Sequence, residues 1–412
     1  MYATDVAIIG GGQAGLAMSR CLFNRGIGHL VFERGAIGGR WQSHAWDSLR
    51  LLTPNWLNLL PEAPYEGNDP DGFMLRDDYV SHLRDYSAAF GAPVMEQTAV
   101  TSVTHGPAGF QIATDRGNWR ARVVVVATGQ CDLPNLPGIA RFIDPRVTNL
   151  HSHGYRSPLV IPDGGVLVVG ASSSGVQIAD ELRRSGRDVT LAVGRHTRLP
   201  RTWRGRDIFW WLDRMGVLAE RTRDLADPDA AKRQPSLQLA GRPDRANIDL
   251  ATLQGIGVKL VGRVAAAEGD AIAFADDLAS SVASAEVKQR HLLARIDAFA
   301  GLDRQAPHVG IEPVDLSRAA PRRLSLAAGN IRTIVWATGY RRAFPWLKIA
   351  ALGPDGEIAH RDGVTAVPGL YALGFRLLRK RDSNFIGGVA SDAVELSQCI
   401  SAFLDQRDRR AA

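Results

Sequence analysis

Short, continuous apolar runs recur along the chain, and each of the two clearest is followed by a turn of small residues. These runs are VAIIG at residues 6–10 and VLVVG at residues 166–170. An apolar run without alternation is typical of a parallel strand buried on both faces. After each turn, apolar residues recur every three or four positions, as on the buried face of a helix, and a second apolar run follows. The pattern predicts two strand–turn–helix–strand units, over residues 5–33 and 165–195.

Three further apolar runs continue this pattern. RVVVVATG (122–129) and RTIVWATG (332–339) each predict a buried strand that ends in Ala-Thr-Gly. We expect the chain to cross between the two units at these segments. The last run, GLYALG (369–374), precedes a helix-like pattern that begins near Gly387 and Gly388.

The first turn carries the spacing G-x-G-x-x-G at Gly10, Gly12 and Gly15. The first glycine permits a tight turn, the second lets backbone approach a pyrophosphate, and the third lets the helix pack closely on the strand. The helix N-terminus offers free N–H groups to phosphates. Glu33 ends the second strand, where a carboxylate can accept hydrogen bonds from ribose hydroxyls. The first unit is therefore predicted to bind a dinucleotide.

The second unit differs from the first in two places. Its turn, Gly170 to Gly175, has Ser172 at the middle position. Its second strand ends in Gly194 and Arg195, where the first unit has a carboxylate. A carboxylate would repel a 2′-phosphate, whereas a small residue followed by Arg accommodates one. The second unit is therefore predicted to bind NADPH.

Two more arginines, Arg198 and Arg201, follow in the sequence and are expected to add to this phosphate contact. An alternative interpretation remains open, in which Arg195 is only the solvated end of a strand and does not bind a phosphate.

Two sites in one chain predict two cofactors, FAD in the first and NADPH in the second, because hydride must pass from nicotinamide to flavin. The expected fold is α/β with two Rossmann-like dinucleotide-binding domains, the NADPH domain being inserted into the FAD domain. Residues 1–155 and 333–412 would form the FAD-binding domain. Residues 156–332 would form the NADPH-binding domain, with helical insertions within about 220–325.

Composition and charge exclude several classes of protein. The 412 residues, 45% of them apolar, suit two or three globular domains. The net charge of +6 is mostly scattered, so no nucleic-acid partner is expected. No run reaches the roughly 18 apolar residues of a membrane span, and no secretory signal is recognised. Cys21, Cys131 and Cys399 are far apart, without a CxxC. This pattern argues against a thiol redox pair or a disulfide framework and predicts a cytoplasmic protein.

The chain carries, in order, the motifs GGGQAG, ERGAIGGRW, ATG, GASSSG, ATGY and the final Gly-Leu-Tyr strand. This order of motifs resembles that of flavoproteins with two dinucleotide-binding domains. With WDSLRLLTPNWLNLLP (46–61), the chain is most similar to the class B flavin-dependent monooxygenases, which include flavin-containing monooxygenases and plant auxin-forming relatives. The likeness covers almost the whole chain outside about 220–325. His151 and Tyr155 match the HxxxY half of the family's linker fingerprint, whereas Asp144 stands where that fingerprint has glycine.

The resemblance implies a reaction cycle. NADPH reduces FAD, O2 adds to the flavin C4a carbon, and the hydroperoxide transfers one oxygen atom to a small organic substrate by N-, S- or carbonyl oxygenation. The partners would be that substrate and O2; membrane contact is not expected, and homodimer formation is left open. Two alternatives remain: an NADPH-dependent flavoprotein reductase or oxidase without oxygen insertion, and a non-catalytic FAD-bound redox sensor.

The residues of the two strand–turn–helix–strand units and the motifs shared with the family together predict the cofactor-binding residues. No metal site is expected. The assigned residues are Gly10, Gly12, Gln13, Ala14, Gly15, Glu33, Arg34, Gly39, Arg40, Trp41, Thr128, Gly129, Gly170, Ser172, Ser173, Ser174, Gly175, Arg195, Thr338, Gly339, Tyr340, Asn384 and Gly387.

The resemblance also implies catalytic residues. Several family members use an Asn near the flavin C4a carbon to steady the peroxide. Aligned through SLRLLTP, that position is Leu52, with Thr53 and Asn55 as polar substitutes close by. The auxin-forming relatives also lack this Asn, so its absence is compatible with oxygenation.

The aromatic stretch RTWRGRDIFWWLDRMGVL has three possible interpretations. Trp203, Trp210 and Trp211 would belong to a lid over the substrate entrance, to an interfacial helix that touches a membrane, or to plain core.

Overall fold

The computed structural model describes residues 2–301, 311–317 and 319–411. Residues 302–310 and 318 belong to the segment in which insertions are predicted, and they lie outside the described residues. Across the part of the chain that is described, no helix is both long and apolar enough to traverse a lipid bilayer.

The strands are numbered in chain order. Up to residue 151 they are β1 (Tyr2–Ile9), β2 (His29–Phe32), β3 (Val94–Met95), β4 (Val100–Gly106), β5 (Gly109–Thr114), β6 (Gly117–Val126), β7 (Leu133–Pro134) and β8 (Thr148–His151). From residue 165 they are β9 (Gly165–Val169), β10 (Val189–Ala192), β11 (Thr197–Arg198), β12 (Thr202–Trp203), β13 (Arg206–Asp207), β14 (Leu237–Gln238), β15 (Lys259–Val261), β16 (Val264–Glu268), β17 (Ala271–Phe274), β18 (Arg323–Ser325) and β19 (Ile331–Trp336). The last four are β20 (Tyr340–Arg341), β21 (His360–Arg361), β22 (Val364–Thr365) and β23 (Leu370–Ala372).

The helices are numbered in the same way. The α-helices are α1 (Gln13–Phe23), α2 (Gly39–His44), α3 (Arg76–Ala89), α4 (Ser173–Arg184), α5 (Ile208–Arg214), α6 (Pro228–Lys232), α7 (Leu250–Gly255), α8 (Leu278–Phe299) and α9 (Ile386–Ala411). Short 3₁₀ turns occupy Asn55–Leu57, Gly138–Phe142, Pro158–Val160 and Thr222–Asp224.

The first sheet has nine strands and is built from both ends of the chain. Its path is β21-β22-β23-β6-β1-β2-β3, and the β4–β5 hairpin pairs with the first half of β6. β3, β2, β1, β6 and β23 run parallel. The apolar ends of β1 and β6 are buried, because α1, α3 and α9 pack into the same core.

The second sheet has five parallel strands in the order β15-β10-β9-β19-β8. Val166 and Val168 of β9 join one core, whereas Leu167 and Val169 join another. Since side chains alternate along a strand, both faces of this sheet are buried, which explains the unbroken apolar runs. The predicted α/β fold with two Rossmann-like units is confirmed.

The chain crosses between the sheets after β6 and again after β19, at the two Ala-Thr-Gly segments, as predicted. β8 precedes residue 156 and β19 ends beyond residue 332, yet both strands belong to the second sheet. The limits of the two domains remain a prediction.

The middle of the chain adds structure to the second sheet. Within the region where helical insertions are predicted, β15 forms an edge strand of the second sheet and α8 is a helix of 22 residues. α8 and α5 share an apolar core with Trp203, Phe209 and Trp211. Trp203 and Trp211 are buried, so they are core residues, while Trp210 is half-buried.

Candidate functional site

The first Gly-rich turn lies at the carboxyl end of β1. Gly10 has a φ of +114°, and a methyl group added there would lie 2.6 Å from the Ala127 carbonyl oxygen. A methyl group on Gly15 would lie 1.8 Å from the Gly10 carbonyl oxygen. Both positions therefore require glycine, and α1 sits directly on the end of the sheet.

Gly12 is different, because no atom lies within 4 Å of a methyl group placed on it. It is the N-cap of α1, followed by Gln13 and the buried Ala14. The backbone N–H groups of a helix start here beside an open concavity, which suits a pyrophosphate. The residues present therefore fit a dinucleotide such as FAD.

Glu33 lies next to this turn. Its carboxylate accepts a hydrogen bond from the Gly11 N–H at 2.7 Å and another from the Gly35 N–H at 2.8 Å. These two bonds fix the carboxylate beside the turn, where it can accept further hydrogen bonds from a ribose.

The predicted arginines lie on the other side of the turn. The Arg40 Nη1 donates to the Thr128 carbonyl at 2.5 Å, next to Gly129. Arg34 and Arg40 both pair with Asp132, at 3.2 and 3.0 Å. The first Ala-Thr-Gly segment is thereby tied to α2, which begins at Gly39. The sequence did not reveal Asp132, since it has no motif of its own.

Two distant segments join α1 at this site. The Gln13 Nε2 donates to the Asn384 carbonyl at 3.4 Å, and the Tyr79 hydroxyl donates to the Gln13 Oε1 at 3.4 Å. Tyr79 also packs edge-on against Trp41 of α2, with ring centroids 5.3 Å apart. The start of α9 lies against a further segment, because a methyl group on Gly387 would be 2.5 Å from the Leu57 carbonyl oxygen.

The three residues assigned to catalysis have different surroundings. Leu52 is half-buried and packs against the core of α5 and α8. The Thr53 hydroxyl donates to the Asn58 amide oxygen at 2.5 Å. Asn55 is buried, and its amide binds one backbone carbonyl and one backbone N–H of loop 69–74. The Asn55 amide is thus used to hold this loop; the catalytic assignments stay a prediction.

The second Gly-rich turn repeats the first. Gly170 has a φ of +108°, and a methyl group there would lie 2.5 Å from the Ala337 carbonyl oxygen. On Gly175 a methyl group would lie 1.7 Å from the Gly170 carbonyl oxygen. Ser172 is the N-cap of α4, and its hydroxyl makes no capping hydrogen bond. Ser173 and Ser174 form the first turn of that helix.

Two glutamines support this turn, and no sequence motif marks them. The buried Gln238 Nε2 donates to the Ala171 carbonyl at 2.7 Å. Gln177 donates from its Nε2 to the Leu239 carbonyl at 2.7 Å and to the Ser173 hydroxyl at 3.1 Å. The strand β14 is thus attached to the turn through two side-chain amides.

Arg195 is exposed after β10, and within the described residues it forms no hydrogen bond or ion pair. The expected contributions of Arg198 and Arg201 to a phosphate contact are wrong. Both are buried and bind carboxylates, Arg198 pairing with Asp249 at 2.7 Å and Arg201 with Asp207 at 2.5 Å.

The second Ala-Thr-Gly segment pairs with the chain that follows the first one. β20, which begins at Tyr340, pairs antiparallel with β7. The Thr338 hydroxyl donates to the Asn135 carbonyl at 2.6 Å, and the Asn135 N–H donates to the Gly339 carbonyl at 3.0 Å. The two crossovers therefore form one hydrogen-bonded ribbon.

Histidines surround this ribbon. The His151 Nε2 donates to the Gly339 carbonyl at 2.8 Å, and its Nδ1 accepts from the His153 N–H at 3.2 Å. His44 lies across from His153, with ring centroids 5.3 Å apart. Burial, followed by the nearby Arg40, lowers the pKa of His44 to about 4. His44 is consequently neutral at pH 7.

A buried charge cluster lies behind the start of α9. Asp392 has no exposed surface, and its nearest cations are Lys380 at 3.8 Å and Arg379 at 4.0 Å. Burial raises the pKa of Asp392 to about 6. Lys380 also pairs with Asp382 at 3.3 Å and donates to the Ser391 hydroxyl at 2.5 Å.

Comparisons with known proteins agree with this arrangement. Residues 7–204 match the family model for pyridine nucleotide-disulphide oxidoreductases. A CzcO-like oxidoreductase from Geobacillus kaustophilus is 30% identical over 406 residues, which cover 96% of this chain and 97% of the relative. The indole-3-pyruvate monooxygenase YUCCA1 of Oryza sativa is 26% identical over 447 residues, covering 100% of this chain and 94% of the relative.

Solved structures show the same fold. The flavin-containing monooxygenase of Stenotrophomonas maltophilia superposes with a TM-score of 0.68 at 22% identity, over 98% of this chain and 100% of that one. The chain belongs to the family of CzcO-like oxidoreductases and has the fold of flavoproteins with two dinucleotide-binding domains. It is also similar to flavin-dependent monooxygenases. It is an oxidoreductase, and the match to the pyridine nucleotide-disulphide oxidoreductase family indicates a nicotinamide cofactor.

The glycines of the first turn give a testable contrast. Gly12 has a φ of −87°, so Gly12→Ala introduces no backbone strain, but its methyl group enters the concavity. We expect a folded protein with at least about tenfold weaker FAD binding, equivalent to roughly 1.4 kcal/mol. Gly15→Ala should instead force α1 off the turn and lower the free energy of unfolding by about 1–3 kcal/mol.

Flavin titration and urea unfolding measure these two effects separately. If Gly12→Ala binds FAD as tightly as the parent, the concavity beside Gly12 is not the pyrophosphate site.

The buried Asp392 gives a pH-dependent prediction. Its pKa is raised in the folded state, so its contribution to stability is full below pH 4 and is lost as the pH rises through about 6. Asp392→Asn removes this titration. The variant's stability relative to the parent should therefore improve by roughly 2 kcal/mol between pH 4.5 and 7.5, measured by urea unfolding.

Glu395, one turn further along α9, provides the control. Burial acts to raise its pKa, but Arg379 and Arg221 outweigh this and lower it. Glu395→Gln should therefore lose stability relative to the parent as the pH rises over the acidic range. A change of equal sign in both variants would contradict the role given to Asp392.

Proposed function

We propose that this chain is an FAD-dependent, NADPH-consuming monooxygenase that oxygenates a small organic substrate at nitrogen, sulfur or a carbonyl group. One observation carries the proposal. Two Gly-rich turns of the same geometry are followed by residues of opposite charge: a fixed carboxylate at Glu33 and an exposed guanidinium at Arg195 that pairs with no other described residue. FAD and NADPH are the dinucleotides that suit these two ends. In the proposal, the two ends of the chain form the FAD domain and its middle forms the NADPH domain, with β8 and β19 assigned to the NADPH domain because they belong to the second sheet.

The first site has the parts that FAD requires. Gly12 and the start of α1 would face the pyrophosphate, and Glu33 would accept the ribose hydroxyls. The Ala-Thr-Gly segment held by Arg40 approaches the first turn at Gly10, and the segment from Asn384 to Gly387 meets α1 at Gln13. Both segments would therefore flank the remainder of the cofactor. When bound, the flavin would supply the redox and oxygen-activating chemistry, and the chain would orient it and exclude water.

Relatives support oxygen insertion. One is named an indole-3-pyruvate monooxygenase, and a structure of the same fold is a flavin-containing monooxygenase. A dithiol reductase would need paired cysteines. Here Cys21 is buried, Cys399 is exposed on α9, and neither of them nor Cys131 forms a disulfide among the described residues.

A reductase or oxidase without oxygen insertion is the second candidate. The observation that favours it is the apolar Leu52 at the position where related enzymes use Asn. The nearby Asn55 does not replace that Asn, because its amide holds loop 69–74. Thr53 donates to Asn58, so its hydroxyl proton is also used.

The nicotinamide cofactor can be tested at Arg195. Arg195→Ala should raise the Michaelis constant for NADPH about ten- to a hundredfold, because one charge-assisted phosphate contact is lost. The constant for NADH should hardly change. Steady-state oxidation of both cofactors measures the difference.

A neighbouring arginine provides the control for general positive charge. Arg263 lies within 4 Å of a methyl group placed on Gly194, but it pairs with Asp277 at 3.0 Å. Arg263→Ala should change the NADPH constant much less than Arg195→Ala. Equal losses with NADPH and NADH would refute direct recognition of the 2′-phosphate by Arg195.

The reaction is tested on the unmodified protein. NADPH-reduced enzyme is mixed with O2 in a stopped-flow instrument, and NADPH use, product and hydrogen peroxide are counted with amine, thioether and ketone probes. A monooxygenase should show a transient flavin–oxygen adduct, with product formation matching NADPH use. If one hydrogen peroxide is released for each NADPH, with no adduct and no product, the oxidase or reductase function replaces the proposal.

A further inference from the structure

Arg201 is a buried cation that links two parts of the chain. Its side chain has no exposed surface. Its Nε and Nη2 bind the Asp207 carboxylate at 2.5–2.9 Å, and its Nη1 donates to the Leu52 carbonyl at 2.8 Å. The rings of Phe73 and Phe209 lie 4.8 and 5.3 Å from the guanidinium carbon. The guanidinium therefore joins the chain before α5 to the segment that begins at Leu52.

Asp207 has a second task. It is the N-cap of α5, and its Oδ1 accepts the Phe209 N–H at 2.8 Å. One carboxylate thus fixes both the guanidinium and the start of the helix. The aromatic ring of Phe209 packs edge-on against Phe385, with centroids 5.8 Å apart, immediately before α9 begins at Ile386.

The Arg201–Asp207 ion pair therefore lies between the two segments that are expected to flank the flavin. One is segment 52–57, from Leu52 to Leu57, and the other is the start of α9. Leu52, Leu57, Trp210 and Phe385 all pack as half-buried side chains on the core of α5 and α8. Leu57 also touches the backbone near Gly387. Arg201 reaches this apolar contact directly, through its hydrogen bond to the Leu52 carbonyl.

The chemistry of the pair points to positioning. A buried ion pair adds little net stability compared with apolar packing, but it demands one geometry. The planar guanidinium can bind a carboxylate with two N–H groups while donating a third to a carbonyl, which a lysine ammonium of similar charge cannot reproduce. The Leu52 carbonyl is thus held at a fixed place relative to α5.

We infer that Arg201 and Asp207 are positioning residues that hold segment 52–57 closed against α5 and so exclude water from that side of the flavin. The inference rests on the proposed function. Loosening the segment would admit water, which promotes loss of hydrogen peroxide before an oxygen atom reaches the substrate.

The test compares Arg201→Lys with the parent holoenzyme by hydrogen–deuterium exchange and by peroxide release during NADPH oxidation. Amides of residues 50–58 should exchange at least about tenfold faster in the variant. The share of NADPH electrons released as hydrogen peroxide should rise to the majority, with a thioether probe present. The rate at which NADPH reduces the flavin should stay within about twofold.

Arg198→Lys is the matched control. Arg198 is equally buried, pairs with Asp249 at 2.7 Å, and that aspartate caps α7 just as Asp207 caps α5. Among the described residues, Arg198 has no hydrogen bond or ion pair to segment 52–57. Exchange should increase near the contacts of Arg198 at α7, Glu286 and Glu312 but not at residues 50–58, and peroxide release should keep its parental value.

Asp207→Asn gives the same test if Arg201→Lys fails to fold, since Asn retains the cap acceptor but removes the charge. Unchanged exchange at 50–58 in both variants overturns the inference. So does faster exchange without additional peroxide, or equal effects from Arg198→Lys. If the parent releases all its electrons as peroxide with the amine, thioether and ketone probes alike and forms no adduct, the proposed function fails, and the exchange of residues 50–58 still decides whether the pair positions the segment.

Discussion

The close approach of a helix to the end of a buried parallel strand is the constraint on which the rest of this molecule depends. At both turns the last glycine lies so near the carbonyl of the first glycine that a methyl group on it would be within 2 Å of that oxygen. This contact places the N–H groups of α1 and α4 at the carboxyl ends of their sheets. Because it occurs twice, the chain presents two similar anion-binding ends, and only their neighbouring residues distinguish them.

Those neighbours are supplied from far along the chain. Glu33 is held by backbone N–H groups, whereas the second turn is held by amides of Gln177 and Gln238. The first turn also contacts the segment before α9 through Gln13. Each dinucleotide end is thus assembled from a local turn and a remote support, which couples cofactor binding to the packing of both chain ends.

The buried strands, both turns and the crossovers could be predicted from sequence, because each depends on short-range signals such as apolar runs and glycine spacing. The surroundings of Arg198, Arg201 and Asn55 could not. Arg201 binds a carbonyl 149 positions away, and Arg198 binds a carboxylate 51 positions away. Sequence spacing carries no record of such pairings, so an arginine near a phosphate-binding strand and an arginine in a core look alike. Asp392 was missed for the same reason, since its charge partners are defined only by packing.

The pairing of β7 with β20 has a mechanical consequence. Both connections between the two sheets lie side by side and are joined by hydrogen bonds at Asn135, Thr338 and Gly339. A two-stranded ribbon resists sliding of one strand along the other but bends and twists as a unit. The two connections between the halves of the molecule are therefore bonded to each other and do not act as two independent linkers. The ribbon is also held to β8 of the second sheet, because the His151 Nε2 donates to the Gly339 carbonyl.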